Sequence, residues 1–312
     1  MSEFDLIARY FSRPSPDAIL GVGDDAALLR VSPGMELAVS TDMLVSGTHF
    51  FPDDDPFLIG HKTLAVNLSD MAAMGAAPRW ATLSLSLPEA DANWLQDFSD
   101  GFFALADRHG VQLVGGDTTR GALNLCVTIM GEAPCGAALR RSGARVGDEI
   151  WVSGYLGDAA LALAHLKGEI ALSDSAFAAC AEKLRKPEPR VALGLALRGV
   201  ASSAIDISDG LLADLGHILQ CSGVGAEIAF SALPVSDALR PYLAQNQDCL
   251  LSGGDDYELC FTAPSAAHGQ IKNLSARLDL PLTRIGAIVA GTGCVLDGKP
   301  VNPGVSGYDH FR

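Results

Sequence analysis

The stretch SAIDISDGLLADLGHILQ, residues 203–220, decides the class of fold. It begins as a short apolar strand and continues into a helix in which residues such as Leu211 and Leu215 recur at helical spacing. A strand that runs into a helix is typical of α/β proteins, in which ligands commonly bind at the strand ends. Asp206 and Asp209 lie at such a strand end, so both can flank one site.

Strand and helix patterns continue on both sides of this stretch. Strands are predicted at 36–44, 79–87, 111–116, 123–133, 149–154, 225–230, 257–263 and 284–291. Helices are predicted at 3–11, 55–75, 91–109 and 265–279, and several helical stretches, interrupted by Pro187 and Pro189, at about 157–199. The segment CVLDGKPV, 294–301, is typical of a hairpin that turns at Asp297–Gly298. The order of these elements alone leaves parallel and mixed sheets open.

A Gly-, Ala- and Arg-rich connection at 134–148 separates two α/β halves. We therefore predict two domains, residues 1–136 and residues 137–312.

The composition excludes several classes of protein. The chain has 312 residues, of which 48% are hydrophobic and 19% charged, as in compact globular proteins. A formal net charge of −15 opposes binding to nucleic acid. No apolar run reaches the roughly 18 residues of a membrane helix, so no membrane partner is expected. The seven scattered cysteines indicate reduced thiols and a cytoplasmic location.

Two nucleotide-binding motifs are matched only in part. GVGDDAAL, 21–28, fits a relaxed dinucleotide pattern, but no clear strand precedes it, and Asp24 and Asp25 would repel a pyrophosphate. GCVLDGKP, 293–300, fits G-x-x-x-x-G-K, but Pro300 stands where a Walker A loop has Ser or Thr. Neither motif predicts a nucleotide site on its own.

Aspartates recur instead at the ends of predicted elements, in GDDAA, STDM, NLSD, GGDTTRG, DISDG and GGDDYE. Each alone is usually a cap or turn residue. Asp70 differs, because it shares one face of an otherwise apolar helix with Asn67. A solvated polar face is one interpretation, and a bound cation explains the position better. Carboxylates that hold Mg²⁺ could bind a polyphosphate through the metal, which resolves the repulsion expected at GVGDDAAL.

Taken together, the motifs resemble those of the thiamine-monophosphate kinase family. The resemblance runs in order from about residue 3 to the end and includes GVGDDAAL, STDMLVSGTHF, KTLAVNLSDMAAMGAAP, LVGGDTTRG, LRRSGARVGD, AIDISDGLLADLGHI, LSGGDDYELCF and GYDHF. This family belongs to the aminoimidazole ribonucleotide synthetase-like superfamily. The resemblance implies two domains of mixed α/β structure. It also implies a homodimer in which N-terminal domains pair their sheets, and a C-terminal domain that completes the active site.

The resemblance also implies a reaction, in which ATP donates its γ-phosphoryl group directly to thiamine monophosphate to give thiamine diphosphate. Several Mg²⁺ ions would assist, and no covalent nucleophile or general base is expected. The implied metal ligands are Asp25, Ser40, Thr41, Asp42, Asp70, Asp206 and Asp209. The implied ATP contacts are Gly116, Asp117, Arg141 and Ser208, and the implied substrate contacts are His49, Asp255 and Tyr308. Asp255 departs from the family's usual Glu.

Other functions stay open at this point. A selenophosphate synthetase would need a reactive cysteine near the N-terminus, and the first cysteine of this chain is Cys126. A purine-pathway synthetase fits GTHF and GYDHF less well. A nucleotide-binding protein without turnover has little need of so many acidic ligands, and a metal-dependent phosphohydrolase would release phosphate.

Overall fold

A computed structural model describes residues 2–301 and Gly307. Its contacts divide the chain into two compact units. Unit 1 runs to Met71 and resumes over Ala76–Gly136, and unit 2 consists of Ala72–Gly75 and the chain from Ala137 onward.

Unit 1 contains a four-stranded mixed sheet. Its strands are β1 (Met35–Val45), β2 (Ala77–Leu87), β3 (Gln112–Arg120) and β4 (Asn124–Pro134). The order across the sheet is β1-β4-β2-β3, with β2 and β3 parallel and the other pairs antiparallel. Its helices are α1 (Glu3–Leu6), α2 (Pro56–Ala73) and α3 (Ala92–His109), although α2 ends in unit 2.

The ends of α3 follow from local sequence. The Asp91 side chain accepts hydrogen bonds from the backbone N–H groups of Asn93 and Trp94, at 2.8 and 3.0 Å, and so caps the first turn. Gly110 ends the helix in a left-handed conformation, with φ of 67°. Between these ends, residues such as Phe98 and Phe102 are fully buried in the core.

Helices α2 and α3 approach each other closely at two glycines. A Cβ atom on Gly60 would lie 2.0 Å from the carbonyl oxygen of Phe98, and one on Gly101 would lie 1.9 Å from that of Phe57. Only glycine leaves room for the backbones at this distance. The contact fixes α2, and with it Asp70, against the rest of unit 1.

The N-terminal helix is shorter than predicted. The expected α-helix over 3–11 is α-helical only to Leu6, and a π-helical turn covers Ile7–Phe11. Tyr10 and Phe11 are buried in this turn, and the Tyr10 hydroxyl donates to the carbonyl of Ala92 at 3.2 Å. A π-turn has more residues per turn than an α-helix, which spacing in the sequence does not reveal.

Unit 2 contains a seven-stranded mixed sheet in the order β11-β10-β7-β9-β5-β8-β6. Its strands are β5 (Glu149–Ser153), β6 (Ser203–Asp206), β7 (Gly225–Ile228), β8 (Leu259–Ala263), β9 (Leu282–Val289), β10 (Gly293–Leu296) and β11 (Lys299–Val301). Only β7 and β10 pair in parallel among the described strands of this sheet.

The helices of unit 2 are α4 (Asp158–Leu166), α5 (Asp174–Arg185), α6 (Val191–Leu197), α7 (Leu211–Ser222), α8 (Asp248–Leu251) and α9 (His268–Leu278). Short 3₁₀ turns cover Phe230–Ala232, Arg240–Gln245 and Ser265–Ala267. The strand and helix predicted at 203–220 are confirmed as β6 and α7, and the hairpin about Asp297–Gly298 is confirmed as β10 and β11.

Both sheets are mixed, so the predicted mixed α/β class is confirmed. Over the part of the chain that the structure describes, no helix combines the length and the apolarity needed to cross a membrane.

Candidate functional site

A cavity of about 790 Å³ in unit 1 brings together two of the aspartate motifs. Asp24 and Asp25 of the GDD loop line it, and so do Gly116 and Asp117 of β3. Apolar residues that include Phe11, from the π-helical turn, form another part of the lining. The cavity therefore places acidic and apolar groups around one space.

The backbone of β3 at this cavity requires glycine. Gly116 has φ of 152°, and a Cβ atom there would lie 1.9 Å from the carbonyl oxygen of Leu83 on β2. A side chain at this position would separate the two strands. The glycine thus keeps β3 paired and sets the position of Asp117, which is exposed.

A second acidic group in unit 1 joins β1 to α2. The Ser40 hydroxyl donates a hydrogen bond to the Asp70 carboxylate, which is half-buried. Asn67, on the same helix face, is 1% exposed, and its amide nitrogen donates to the carbonyl of Thr63 at 3.0 Å. The Asn67 Oδ1 atom has no hydrogen-bond partner among the described residues. A buried oxygen without a donor suits coordination by a cation.

Strand alternation separates the three β1 residues expected to bind metal. Ser40 and Asp42 point to one face of the sheet and Thr41 to the other. The Thr41 hydroxyl lies on that other face, 2.9 Å from the hydroxyl of Thr128. The Thr41 side chain therefore does not join Ser40 and Asp42, and only its backbone carbonyl could act with them.

His49 has a defined tautomer. Its Nδ1 atom accepts the backbone N–H of Val45 at 3.0 Å, so in the neutral ring the proton is on Nε2. Its carbonyl oxygen accepts a hydrogen bond from the Lys62 ammonium at 3.2 Å. The ring is thus oriented to donate one hydrogen bond through Nε2.

In unit 2, Asp214 organises the turn between β6 and α7. Its Oδ2 atom accepts the backbone N–H groups of Ser208, Asp209 and Gly210, at 3.0, 3.1 and 3.1 Å. Burial, together with the negative charges of Asp206 and Asp209, raises the pKa of Asp214 to about 7, although the backbone hydrogen bonds partly oppose this. Negative charge is therefore concentrated at the end of β6.

The donor groups of each unit fit a hard cation, since they are carboxylate, hydroxyl and amide oxygens. Among the described residues, however, no three His, Cys, Asp or Glu side chains are placed to hold a metal ion by themselves. Phosphate oxygens and water would have to complete the coordination of Mg²⁺, as is usual for this ion.

The remaining predicted residues lie mostly in unit 2. The backbone N–H of Asp255 donates to the carbonyl of Ser208 at 2.9 Å, so these two predicted contacts are neighbours. Arg141 is exposed, and its carbonyl accepts a hydrogen bond from the Ser222 hydroxyl at 3.4 Å. Tyr308 lies outside the described residues.

Comparison with known proteins identifies the family. The models for the AIR synthase related protein match in two parts, the N-terminal domain at residues 23–133 and the C-terminal domain at residues 145–299. The thiamine-monophosphate kinase of Salmonella typhimurium is 49% identical over 99% of this chain and 98% of its own length. This chain belongs to the thiamine-monophosphate kinase family.

Solved structures of family members have a similar fold. The thiamine-monophosphate kinase of Stenotrophomonas maltophilia K279a is 51% identical, with a TM-score of 0.87 over 96% of both chains. AaThiL complexed with AMPPCP and TMP is 33% identical, with a TM-score of 0.79 over 90% of this chain and 89% of that chain. Membership of this kinase family confirms the predicted superfamily fold and the predicted enzyme class, a phosphotransferase.

Two residues of unit 2 that form hydrogen bonds to predicted site residues were not predicted from the sequence. Asp214 lies in a helix rich in leucine, where a buried acidic residue could have been noticed for the same reason as Asp70. Tyr257 donates its hydroxyl to Asp255 Oδ1 at 3.0 Å. No spacing rule indicates this second contact, because it depends on an unusual backbone conformation.

Proposed function

We propose that this chain transfers the γ-phosphoryl group of ATP to thiamine monophosphate, giving thiamine diphosphate and ADP. The observation that carries the proposal is the cavity of about 790 Å³ that joins Asp25 to Gly116 and Asp117. It occurs in a chain that is 49% identical, over nearly its whole length, to a thiamine-monophosphate kinase. The AMPPCP and TMP bound to AaThiL supply the identities of nucleotide and acceptor.

The nucleotide is proposed to bind through the polar part of this cavity, where Asp117 and the Gly116 backbone contact it. Apolar residues such as Phe11 and Leu113 offer surface for the base. Arg141 and Ser208 of unit 2 are proposed as further contacts, with the Arg141 guanidinium suited to pair with phosphate oxygens.

The metal ligands are proposed to be Asp25, Ser40, Asp42, Asp70, Asp206 and Asp209, with Thr41 acting only through its carbonyl. When bound, Mg²⁺ would screen the charge between phosphate groups and stabilise the charge of the transferred group. The hydrogen bond from Ser40 holds the Asp70 carboxylate in place. The three N–H groups bound to Asp214 hold the Ser208–Gly210 backbone, and so set the direction of the Asp209 side chain.

No general base is required, because a phosphate oxygen of thiamine monophosphate is already ionised. The residues act by binding and alignment, and the transfer is proposed to occur in line. His49 is proposed as a contact of thiamine monophosphate. The Asp255 carboxylate is suited to attract the positively charged thiazolium ring, and Tyr308 is proposed as a third substrate contact.

The protein is also proposed to be a cytoplasmic homodimer that pairs through β1. This edge strand of unit 1 exposes Leu37, Val39 and Met43, which are 44%, 57% and 52% exposed and lie on one face. A row of apolar side chains on an exposed strand is typical of an interaction surface. All seven cysteines are free thiols, which suits the reducing cytoplasm.

The proposal is tested by acceptor dependence. The purified protein is incubated with ATP and Mg²⁺ together with thiamine monophosphate, with thiamine, or with no acceptor, and ADP is quantified by chromatography. ADP formation only with thiamine monophosphate is the expected result. ADP formation at the same rate without an acceptor would indicate a phosphohydrolase. Nucleotide binding without ADP formation under any condition would indicate a non-catalytic binding protein.

A further inference from the structure

The segment GGDDYE, 253–258, has a strained backbone. Asp255 and Tyr257 both have left-handed φ angles, of 66° and 49°. Residues with a Cβ atom rarely adopt this conformation, and a bulky residue such as tyrosine does so least readily. Such residues persist only where the surroundings fix them, and they concentrate at functional sites.

Backbone hydrogen bonds to the end of β6 fix this segment. The Asp255 N–H donates to the Ser208 carbonyl at 2.9 Å, and the Tyr257 N–H donates to the Ile207 carbonyl at 2.8 Å. The Ile207 N–H returns a bond to the Glu258 carbonyl, also at 2.8 Å. Asp255 is therefore held beside the turn that carries Ser208 and Asp209.

A buried ion pair anchors the far end of the segment. The Glu258 side chain is 5% exposed and receives two hydrogen bonds from the Arg190 guanidinium, one of them 2.6 Å long at Nε. The Ser153 hydroxyl donates to the same carboxylate at 2.5 Å. Charge-assisted bidentate pairs of this kind fix geometry strongly, so the segment has little freedom to relax its strain.

The same conformation directs the Tyr257 hydroxyl back onto Asp255. Tyr257 is 8% exposed, and its hydroxyl donates to Asp255 Oδ1 at 3.0 Å. The hydrogen bond therefore lies within the segment that contains the two left-handed residues. A buried aromatic ring moves little, so this bond restricts the rotation of the Asp255 carboxylate.

We propose that Tyr257 is a positioning residue that orients the Asp255 carboxylate for binding the cationic part of thiamine monophosphate. This inference rests on the proposed function, which assigns Asp255 to that substrate. In this role, the fixed backbone and the Tyr257 hydroxyl together hold the carboxylate in one orientation. A tyrosine that served only to fill the core would have no such effect on the substrate.

The test compares Tyr257→Phe with Tyr242→Phe, which also removes one hydroxyl of unit 2, there bonded to the Ser173 N–H at 3.0 Å. Binding of thiamine monophosphate is measured by calorimetry without ATP, and KM for both substrates and Tm are determined. We expect Tyr257→Phe to weaken binding and raise KM for thiamine monophosphate about tenfold, as loss of a hydrogen bond to a charged group does. KM for ATP should change less than about twofold, and Tyr242→Phe should leave both KM values unchanged.

A double-mutant cycle shows whether Tyr257 acts through Asp255. In an Asp255→Asn background, Tyr257→Phe should change binding by less than about twofold, because the oriented carboxylate is already gone. Unchanged thiamine monophosphate binding in Tyr257→Phe, while the wild type turns over this substrate, would overturn the inference alone. Equal changes for both substrates together with a lower Tm would also overturn it, since they indicate a structural role. A wild type that neither binds nor phosphorylates thiamine monophosphate would overturn the proposed function and this inference with it.

Discussion

Asp70 combines a half-buried charge with a proposed role in binding Mg²⁺. It lies half-buried in the apolar helix α2, accepts a hydrogen bond from Ser40, and shares a face with the buried Asn67 oxygen that has no donor among the described residues. Placing charge and an unpartnered oxygen in such surroundings costs stability unless a cation compensates for it. The proposed Mg²⁺ would supply this compensation.

Asp70→Asn should impair catalysis without unfolding the protein. Asparagine keeps the shape and can still accept the Ser40 hydrogen bond, but it removes the charge proposed to bind Mg²⁺. We expect kcat/KM at limiting Mg²⁺ to fall about 10- to 100-fold, measured as initial rates over a Mg²⁺ titration. Asp100→Asn, at an exposed position of α3, is the matched control and should behave as wild type. Near-normal turnover of Asp70→Asn at limiting Mg²⁺ would contradict the assignment.

Asp158 illustrates a pH effect that is independent of the proposed site residues. Its buried Oδ1 atom accepts hydrogen bonds from the Ser236 hydroxyl at 2.6 Å and from the Cys180 thiol at 3.7 Å. Burial raises the pKa of Asp158 above 3.8, and the hydrogen bonds and Lys183 only partly oppose this. An acid with a raised pKa in the folded state binds more protons there than when unfolded, so it costs stability as pH rises.

Asp158→Asn should therefore gain stability relative to the wild type as pH rises. The free energy of unfolding is measured by urea titration between about pH 4 and pH 8, in dilute solution because the isoelectric point is about 4.7. We expect the difference, variant minus wild type, to increase from the acidic end and then level off above the folded-state pKa. A difference that decreases with pH would show that the folded state favours the charged form.

Among the helices, the close contact between α2 and α3 is expected to be sensitive to substitution of its glycines. Gly60→Ala would force a methyl group to within 2.0 Å of the Phe98 carbonyl, so we expect it to lower the free energy of unfolding by about 2–3 kcal/mol. Gly269→Ala, in α9, meets no atom within 4 Å and should raise it by about 0.5 kcal/mol through better helix propensity. Urea unfolding of both variants measures the contrast. Similar small effects from both would show that the helices can separate at little cost.

Most elements could be predicted from the sequence, because burial imposes a period of two on strands and of 3.6 on helices. Helix α3 and the strand β2 follow directly from such patterns. The π-helical turn at Ile7–Phe11 could not be predicted, because local packing selects it. The pairing partners of the strands could not be predicted either, since the parallel contact of β7 with β10 joins residues that are far apart in sequence.

The sequence indicated which types of residue form the candidate site, but not how their side chains are arranged. Acidic motifs indicated a cation, and the family resemblance supplied roles for Asp25, Gly116 and Asp117, which the cavity then brings together. The opposite orientation of Thr41 follows from strand alternation and could have been anticipated. The Tyr257 contact could not be anticipated, because it lies in a segment with two left-handed residues that the sequence gives no reason to expect.

At the scale of the whole molecule, the exposed face of β1 predicts how copies associate. Val39→Asp would place a charge among the exposed Leu37 and Met43 side chains, so we expect the proposed dimer to dissociate to a monomer. Analytical ultracentrifugation at several concentrations measures the mass. Ala90→Asp, in the exposed loop before α3, adds the same charge elsewhere and should leave the dimer intact. A dimer that survives Val39→Asp would place the interface on another surface.

The proposed reaction is the direct transfer of the γ-phosphoryl group from ATP to thiamine monophosphate. The most direct measurement follows ATP labelled at the γ-phosphate and quantifies the label in thiamine diphosphate and in inorganic phosphate, alongside ADP. Direct transfer would place the label in thiamine diphosphate in an amount equal to the ADP formed, and only with Mg²⁺ present. Label recovered as inorganic phosphate, with thiamine monophosphate unchanged, would contradict it.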